Sequence, residues 1–431
     1  MRHFIEEVQL KNGIRGLLID VPDASVMTFQ FVFRAGSRYT QSKDKYETAH
    51  LMEHMAFGAN AKFKNEHEYE AEFTKNGAYH NAFTGDISIG YVAECADLEW
   101  QRILELQGLA IAEPKFNEEE LISEKGNVHS ELTGYQNKYG RLLWPKLQQI
   151  LGEDILLYSQ RLKTIEDITL SDIKEHHTRT HTSDNMRFII AGKLGNRKDQ
   201  IKKTIESWNL PRGHYFDIPE DSHHKASPVL IQRKDATNLT FGWSSILPRK
   251  LTNPEINAAD CLNHILTGTM YSKIFGQARR RGLVYDLSSD TSNSPHESSW
   301  DFSGEVNYGV ADELFQLVVT EIQKILNGDI PQGDVDAARD YALGRYQMGA
   351  QTVSQISNYY SGKYFLDGTI NDYTLVPDEI KQVSRDLMVD IARSFMASNT
   401  WALAAVANGE RQNVVKLNNE LSVLYDNSQG V

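Results

Sequence analysis

Two stretches of this 431-residue chain, 210 positions apart, share one pattern, and this repeat limits the possible folds more than any other feature. Residues 29–33 and 239–243 each carry large apolar side chains at every second position, which is typical of a half-buried β-strand. Residues 50–58 and 260–268 follow at the same offset, and each run ends at a glycine, as helices often do. The chain is therefore predicted to contain two related folding units.

A polar stretch at residues 209–229, which contains proline and glycine, is typical of a linker between the two repeats. The order of predicted strands and helices after it follows the order before it. We therefore predict an N-terminal domain at 1–210 and a C-terminal domain at 228–431 that arose by duplication.

The most informative short pattern is the run from His50 to His54, which reads His-Leu-Met-Glu-His. Histidines at positions i and i+4 lie one helical turn apart on the same face, so both can ligate one ion. Glu53 lies beside the open coordination position, where a carboxylate can accept a proton from water. This pattern is similar to the inverzincin zinc-peptidase signature.

Two histidines need a third protein ligand, and a predicted helix at about 118–137 offers two candidates. Glu124 and Glu131 are two helical turns apart on one face, so their Cα atoms lie about 10 Å from each other. One of them is expected to bind the ion. The other is expected to lie outside the set of ligands, where a carboxylate can hold a histidine ring by its free N–H.

Composition excludes several other classes of protein. There are 45 Lys and Arg residues against 58 Asp and Glu residues, and the net charge of −13 argues against nucleic acid as a partner. Two cysteines, Cys95 and Cys261, are too few for a disulfide scaffold or a cysteine-rich zinc module. No apolar run reaches the roughly 18 residues of a membrane span, and no signal-peptide core is visible, so we expect a cytoplasmic protein without a membrane partner.

The chain resembles the M16 (insulinase/pitrilysin) metallopeptidase family, in particular the short subfamily that includes mitochondrial processing peptidase and its bacterial relatives. The resemblance covers nearly the whole chain, and its most specific part is the zinc motif with its distant glutamate. The matching segments are His50 through Phe57, Asn81 through Thr84, Glu124 through Glu131, Asn185 through Gly192, Gly268 through Phe275, and Gly282 through Tyr285.

This resemblance implies one Zn²⁺ per chain, bound by His50, His54 and Glu131, with Glu53 as the general base. Glu124 matches an additional family glutamate near the catalytic site. Residue spacing alone left open whether Glu124 or Glu131 is the third ligand, and the resemblance implies Glu131.

The resemblance also implies residues that contact substrate. Asn81, Ala82, Phe83 and Thr84 match an edge strand that binds a peptide backbone by strand addition. Tyr285 matches a tyrosine from the second half that reaches the active site and donates a hydrogen bond to a developing oxyanion. The family arginine seven residues before it is replaced by Ala278, and Arg279 is expected to take its place.

The fold implied is α+β, with two similar halves that each contain a mostly antiparallel sheet packed with helices. The function implied is a zinc endopeptidase that cuts oligopeptides or unstructured segments, as a homodimer or a heterodimer with an M16-like partner. The alternative is a non-catalytic family subunit that binds peptides or scaffolds a complex.

Two further features bear on this choice. At the positions that repeat His50, Glu53 and His54, the second half has Asp260, Asn263 and His264, so it is expected to be inactive. A histidine-rich run at 176–181 is predicted to be a solvated loop rather than a second metal site.

Overall fold

A computed structural model describes residues 1–426, which form two sheets and sixteen α-helices. The strands of the first sheet are β1 (Phe4–Gln9), β2 (Arg15–Asp20), β3 (Val26–Phe33), β4 (Tyr79–Thr84), β5 (Ile89–Ala96) and β6 (Met186–Gly192). Those of the second are β7 (Val229–Gln232), β8 (Leu239–Leu247), β9 (Val284–Asn293), β10 (Ser298–Val306) and β11 (Trp401–Ala407).

The helices fall into two sets of eight in chain order. The first set is α1 (Thr48–Ala56), α2 (Glu66–Thr74), α3 (Trp100–Ala112), α4 (Glu118–Tyr135), α5 (Tyr139–Leu151), α6 (Tyr158–Thr164), α7 (Leu170–Thr180) and α8 (Lys198–Glu206). The second is α9 (Asn253–Leu266), α10 (Phe275–Arg280), α11 (Ala311–Leu326), α12 (Gln332–Gly349), α13 (Val353–Asp367), α14 (Val376–Lys381), α15 (Arg385–Ser398) and α16 (Arg411–Ser422). Across residues 1–426, no helix is both long and apolar enough to pass through a bilayer.

The two sheets share one topology. The first has the order β1-β2-β6-β3-β5-β4, and the second has the order β7-β11-β8-β10-β9. In each sheet one pair is parallel, β2 with β6 and β7 with β11, and the other neighbours are antiparallel. Apart from β1, every strand of the first sheet has a counterpart in the second. The predicted α+β fold with two similar, mostly antiparallel halves is confirmed.

The chain forms two compact units that are not continuous in sequence. Unit 1 consists of Met1–Gly134, Tyr158–Pro219 and Gly349–Asn371. Unit 2 consists of Tyr135–Leu157, Glu220–Met348 and Asp372–Val431, of which residues up to 426 are described. Each unit therefore contains one helix from the opposite sequence repeat, α13 in unit 1 and α5 in unit 2.

In unit 1, alternation along β3 produces one fully buried aromatic face. The rings of Phe29, Phe31 and Phe33 have no exposed surface. Phe31 packs 4.9 Å from the ring of Trp208, and Phe33 stacks at 4.2 Å on His181, which follows α7. Burying three phenylalanines contributes roughly 1.5–3 kcal/mol for each ring. The end of α7 packs on this face through His181, and α1 packs against α7.

The opposite face of each sheet is covered by the exchanged helix. In unit 1, the Gln30 amide of β3 donates to Ser357 Oγ at 3.0 Å and to Asn358 Oδ1 at 2.7 Å, both on α13. In unit 2, one face of α5 is apolar at every fourth position and packs on strands β8 and β11. The buried residues of this contact are Leu143, Leu147, Leu151, Ile246, Ala402, Ala404 and Val406.

Candidate metal centre

Helix α1 of unit 1 contains the predicted metal motif. Leu51, Met52 and Met55 are almost fully buried, and they fix the rotation of the helix against its neighbours α7 and β4. His50 and His54 consequently lie on one side, with their ring centroids 4.8 Å apart and nearly perpendicular. The i, i+4 spacing has therefore placed the two rings together as a pair of possible ligands.

Helix α4 brings both predicted glutamates to these histidines. Glu131 Oε2 lies 3.4 Å from His50 Nε2 and 3.7 Å from His54 Nε2. Glu124, two turns earlier, accepts a hydrogen bond at 2.9 Å from His54 Nδ1, on the other side of that ring. The two glutamates thus have different positions, one facing both Nε2 atoms and one behind His54.

Glu47 contacts the Nδ1 side of the His50 ring, as Glu124 contacts the Nδ1 side of His54. His50 Nδ1 donates to Glu47 Oε2 at 3.0 Å, and Arg161 of α6 pairs with both oxygens of Glu47. Glu47 is fully buried. Each histidine is therefore held at Nδ1 by a carboxylate, which leaves both Nε2 atoms to face Glu131 and fixes the tautomer a metal needs.

These carboxylates set the charge of the two rings. Burial alone lowers the pKa of His54, but its bonds with Glu124 and Glu131 dominate and raise the pKa to about 10. His50 is affected in the same direction: burial opposes the shift, and Glu131 and Glu47 raise the pKa. Without a metal ion, protons on the imidazoles balance the surrounding carboxylates, and a bound cation would replace them.

The donor set fits zinc. Two ligands that lie about 2.0–2.1 Å from a tetrahedral zinc ion are about 3.4 Å apart. The separations of Glu131 Oε2 from the two Nε2 atoms, 3.4 Å and 3.7 Å, are close to this value. His50, Glu53 and His54 also each offer one potential ligand atom, and these three atoms lie within 4.8 Å of one another.

Glu53 lies on the same helix, next to the two histidines. Its side chain is 9% exposed, and burial raises its pKa, against the opposing pull of His54 and His50. Its Oε2 accepts a hydrogen bond from Thr84 Oγ1 at 3.2 Å. A carboxylate with a raised pKa beside the metal ligands is suited to accept and release a proton.

Strand β4, which carries Thr84, is the outer strand of its sheet. It pairs only with β5 in the sheet order of the described residues. His80, Ala82 and Thr84 share the face that carries Thr84 towards Glu53, whereas Asn81 and Phe83 point to the opposite side and are exposed. The four predicted substrate-binding positions of β4 are thus on an edge strand, with Thr84 touching the candidate base.

In unit 2, Tyr285 and Arg279 form a stacked pair. The Tyr285 ring is 80% exposed, and the Arg279 guanidinium lies 4.5 Å from its centroid. Ala278 is fully buried in α10, so the position of the family arginine carries a core residue. Arg279 therefore has the contact with Tyr285 that was expected of a replacement, and the role of this pair in catalysis stays a prediction.

The histidine-rich run at 176–181 is not a solvated loop, and that prediction is wrong. It forms the end of α7, where His176 Nε2 bonds with the Ala35 carbonyl at 2.8 Å and His177 Nε2 with that of Ile111 at 2.9 Å. His181 is 1% exposed and bonds with the Tyr91 hydroxyl. His176 and His181 are therefore buried and His177 is half-buried, and each ring has a hydrogen-bond partner.

Sequence reasoning missed Glu47 and Arg161. Glu47 lies three residues before His50, a spacing at which helical side chains meet, and this was a readable signal. Arg161 is 114 residues further along the chain from Glu47, and only the fold brings them together.

Comparisons with known proteins agree with this geometry. A family model described as Insulinase (Peptidase family M16) matches residues 16–154, and one described as Peptidase M16 inactive domain matches residues 167–341. An uncharacterized zinc protease of Rickettsia bellii is 24% identical over 417 residues, covering 93% of this chain and 97% of that protein. The uncharacterized zinc protease YmxG of Bacillus subtilis is 22% identical, covering 94% and 98%.

Among solved structures, a protease from Helicobacter pylori has a similar fold. It superimposes with a TM-score of 0.82 at 17% sequence identity, covering 94% of this chain and 100% of the other.

Proposed function

The chain belongs to peptidase family M16, and from this premise we propose that it is a zinc-dependent endopeptidase that hydrolyses oligopeptides or unstructured polypeptide segments. The observation that carries the proposal is the convergence of His50 Nε2 and His54 Nε2 on one oxygen of Glu131, with both Nδ1 atoms held by carboxylates.

In this proposal His50, His54 and Glu131 hold the zinc ion. A zinc ion in this position would polarise a peptide carbonyl and make a nearby water molecule more acidic.

The two histidine rings are positioned by carboxylates. Glu124 keeps the His54 ring in place through Nδ1, and Glu47 does the same for His50. Arg161 in turn holds Glu47, so the orientation of the ligands depends on a network that reaches α6.

Glu53 is the proposed general base. Its carboxylate accepts a proton from the attacking water and then delivers that proton to the nitrogen of the leaving amine. A pKa raised by burial favours this exchange near neutral pH, because a strongly acidic carboxylate would accept the proton poorly. Thr84 holds Glu53 Oε2 and links the base to β4.

Strand β4 is the proposed substrate platform. An extended peptide that adds to this edge is recognised by its main chain, which every sequence shares. Asn81, Ala82, Phe83 and Thr84 would pair with it, and a peptide in that position lies next to the base because Thr84 touches Glu53. Most segments of a folded protein are already paired or packed, so oligopeptides and unstructured segments are the proposed substrates.

Tyr285 and Arg279 are proposed to assist, with the tyrosine as hydrogen-bond donor to the developing oxyanion and the arginine positioned on its ring. We further propose that the chain pairs with a second copy or with an M16-like homologue. A mass near 49 kDa in solution at micromolar concentration would contradict the pairing.

The experiment that tests the proposal is cleavage of a mixed oligopeptide pool by the zinc-loaded protein, read by mass spectrometry. Glu53→Gln keeps the size of the side chain and removes its basic carboxylate, so it is expected to abolish cleavage while zinc stays bound. Glu119→Gln, which changes an exposed glutamate in the first turn of α4, is the matched control and should cleave like the wild type.

Absence of cleavage by the zinc-bound wild type, tested with and without an M16-like partner chain, would contradict the peptidase. It would favour the alternative of a non-catalytic subunit that binds peptides.

A further inference from the structure

Unit 1 contains a cavity of about 260 Å³ on the face of the sheet covered by α13. Of its lining residues, only Phe83 belongs to the proposed substrate strand, and none belongs to the proposed metal centre. Most of its wall is apolar. The apolar residues are Val32, Phe83, Ile87, Phe365 and Leu366. It lies at or below the small end of ligand pockets of about 300–1,000 Å³, so it suits one side chain or one short acyl chain.

Two arginines, Arg34 and Arg187, also line this apolar cavity. Each guanidinium lies 3.8 Å from the ring centroid of Tyr215, a third lining residue. Arg187 is only 8% exposed, and burial lowers its pKa because the charged form loses hydration. A protein with a net charge of −13 has thus buried positive charge in a mostly hydrophobic wall.

Neither arginine has an anionic partner within residues 1–426. Arg34 donates to the carbonyls of Phe216 and Leu366, and its Nε has no hydrogen-bond partner. Arg187 donates from Nη1 to the carbonyls of Asp184 and Met186, at 3.0 and 2.9 Å.

The remaining nitrogens of Arg187, Nε and Nη2, make no hydrogen bond within the described part of the chain. Nearby, Glu7 pairs with a third arginine, Arg15, at 2.5 Å. The neighbouring Arg15 and Arg34 repel the charge of Arg187 rather than neutralise it.

From this arrangement we propose that the cavity binds a small ligand with an apolar body and a carboxylate head, with the carboxylate on Arg187 and the body among the apolar residues. The free Nε and Nη2 of Arg187 form the side of a guanidinium that matches the two oxygens of a carboxylate. A carboxylate there would also reduce the repulsion between Arg187 and Arg34. Two sources share this chemistry, a free short-chain acid and the C-terminal carboxylate of a peptide that ends in an apolar residue.

Gly362 is an exposed glycine at the cavity wall where a larger side chain can be introduced. It lies on α13, lines the cavity, and a Cβ added there meets nothing within 4 Å. Gly362→Leu is expected to occupy the space of the ligand body. Gly362→Ala raises helix propensity about as much as Gly362→Leu does and leaves most of the cavity open, so it is the matched control.

The test is calorimetric titration of the full-length protein with hexanoate and with N-acetyl-L-leucine, each beside its neutral amide. We expect each acid to bind about 10-fold or more tightly than its amide, because a hydrogen bond between two charged groups is stronger than one to a neutral group. Gly362→Leu should abolish binding, and Gly362→Ala should retain it. Arg187→Gln should weaken binding of the acids and leave the amides unchanged.

Tighter binding of N-acetyl-L-leucine would identify a peptide C-terminus as the source, and tighter binding of hexanoate would identify a free acid. The proposal is overturned if neither acid binds more tightly than its amide, or if Gly362→Leu binds like the wild type. None of these titrations requires zinc or turnover, so their failure would leave the peptidase proposal untouched.

Discussion

Helices α1 and α9 occupy the same place in the topology of their units, yet only α1 is surrounded by carboxylates. His54 of α1 has Glu124 on one nitrogen and Glu131 near the other, and its pKa rises to about 10. His264 of α9 lies at the repeated position and stacks at 3.8 Å on the ring of Tyr341. Burial lowers its pKa, and its Nδ1 has no hydrogen-bond partner.

The two units share one topology, so the difference between α1 and α9 comes from a few side chains around them. The positions 210 residues after Glu124 and Glu131 are Asp334 and Tyr341, and Asp334 pairs with Lys273 at 2.7 Å instead of a histidine. Asn263, at the position of Glu53, is held between Trp300 and Thr291. The sheet and helices thus provide a place for a metal site, and the carboxylates decide whether one forms.

The largest effect on zinc binding and turnover is expected from replacing Glu131, a proposed ligand of unit 1 that unit 2 lacks. Glu131→Gln should release zinc and lower peptide turnover by about 10³-fold or more, because the Lewis acid contributes several kcal/mol to catalysis. Its counterpart Tyr341→Phe in unit 2 should leave zinc content and turnover unchanged. Metal analysis and peptide kinetics on both variants check this. Zinc loss in Tyr341→Phe would contradict the assignment of the site to unit 1.

Replacing Glu124, which accepts the hydrogen bond from His54 Nδ1, should have a smaller effect on zinc binding. Glu124→Gln keeps a hydrogen-bonding side chain but removes its charge, and we expect zinc affinity to fall about 10- to 100-fold. Asp334→Asn, the counterpart in unit 2, should not change zinc affinity. Competition with a chelating dye measures both. An unchanged affinity in Glu124→Gln would mean that this residue does not position the ligand.

One buried residue in each unit should respond to acid in the opposite sense to the other. His176 of unit 1 has a pKa lowered by burial to about 4, below the unfolded value of about 6.5. The unfolded chain therefore binds more protons between these values, and unit 1 loses stability, of the order of 3 kcal/mol, as the pH falls from about 6.5 to 4.

Asp301 of unit 2 has a pKa raised by burial to about 6, above the unfolded value of about 3.9. Here the folded state binds the extra proton, so this residue makes unit 2 more stable as the pH falls from about 6 to 4. Hydrogen exchange resolved by peptide, at pH 7 and pH 4.5, distinguishes the units. Asp301→Asn should remove the contribution of this residue, so unit 2 of the variant should lose more protection at pH 4.5 than unit 2 of the wild type. An equal loss of protection in the two proteins would contradict the assignment.

The smallest effects are expected from replacing a glycine by alanine in α4 of unit 1 and in α12, the corresponding helix of unit 2, and they concern stability alone. Gly126 of α4 and Gly344 of α12 both have open space where a Cβ would stand. Each substitution by alanine should stabilise its unit by about 0.5–1 kcal/mol without changing turnover. Denaturant midpoints measure the gain, and a loss of stability in either variant would show that its glycine has a packing role.

The sequence predicted those features whose signal is local. Alternation along β3 and β8 predicted the repeated sheets, and the spacing of His50, Glu53 and His54 predicted a shared helical face. The two-turn separation of Glu124 and Glu131 predicted that the two would have different positions, and the structure places them so.

Other features depend on long-range contacts that no local pattern encodes. The exchange of α5 and α13 between units is invisible in sequence, because an amphipathic helix does not specify which sheet it covers. The ion pair of Arg161 with Glu47 joins distant elements, and the histidines of α7 have a polar composition but a buried location. Tertiary packing decided each of these cases.

The most direct test of this account is a crystal structure of the protein grown with zinc, with data collected at the zinc absorption edge. We predict one anomalous peak per chain, about 2.0–2.2 Å from His50 Nε2, His54 Nε2 and a Glu131 oxygen. No peak is predicted at His264 in unit 2. A peak in unit 2, or zinc bound without Glu131, would contradict the central claim that these three residues of unit 1 form the metal site.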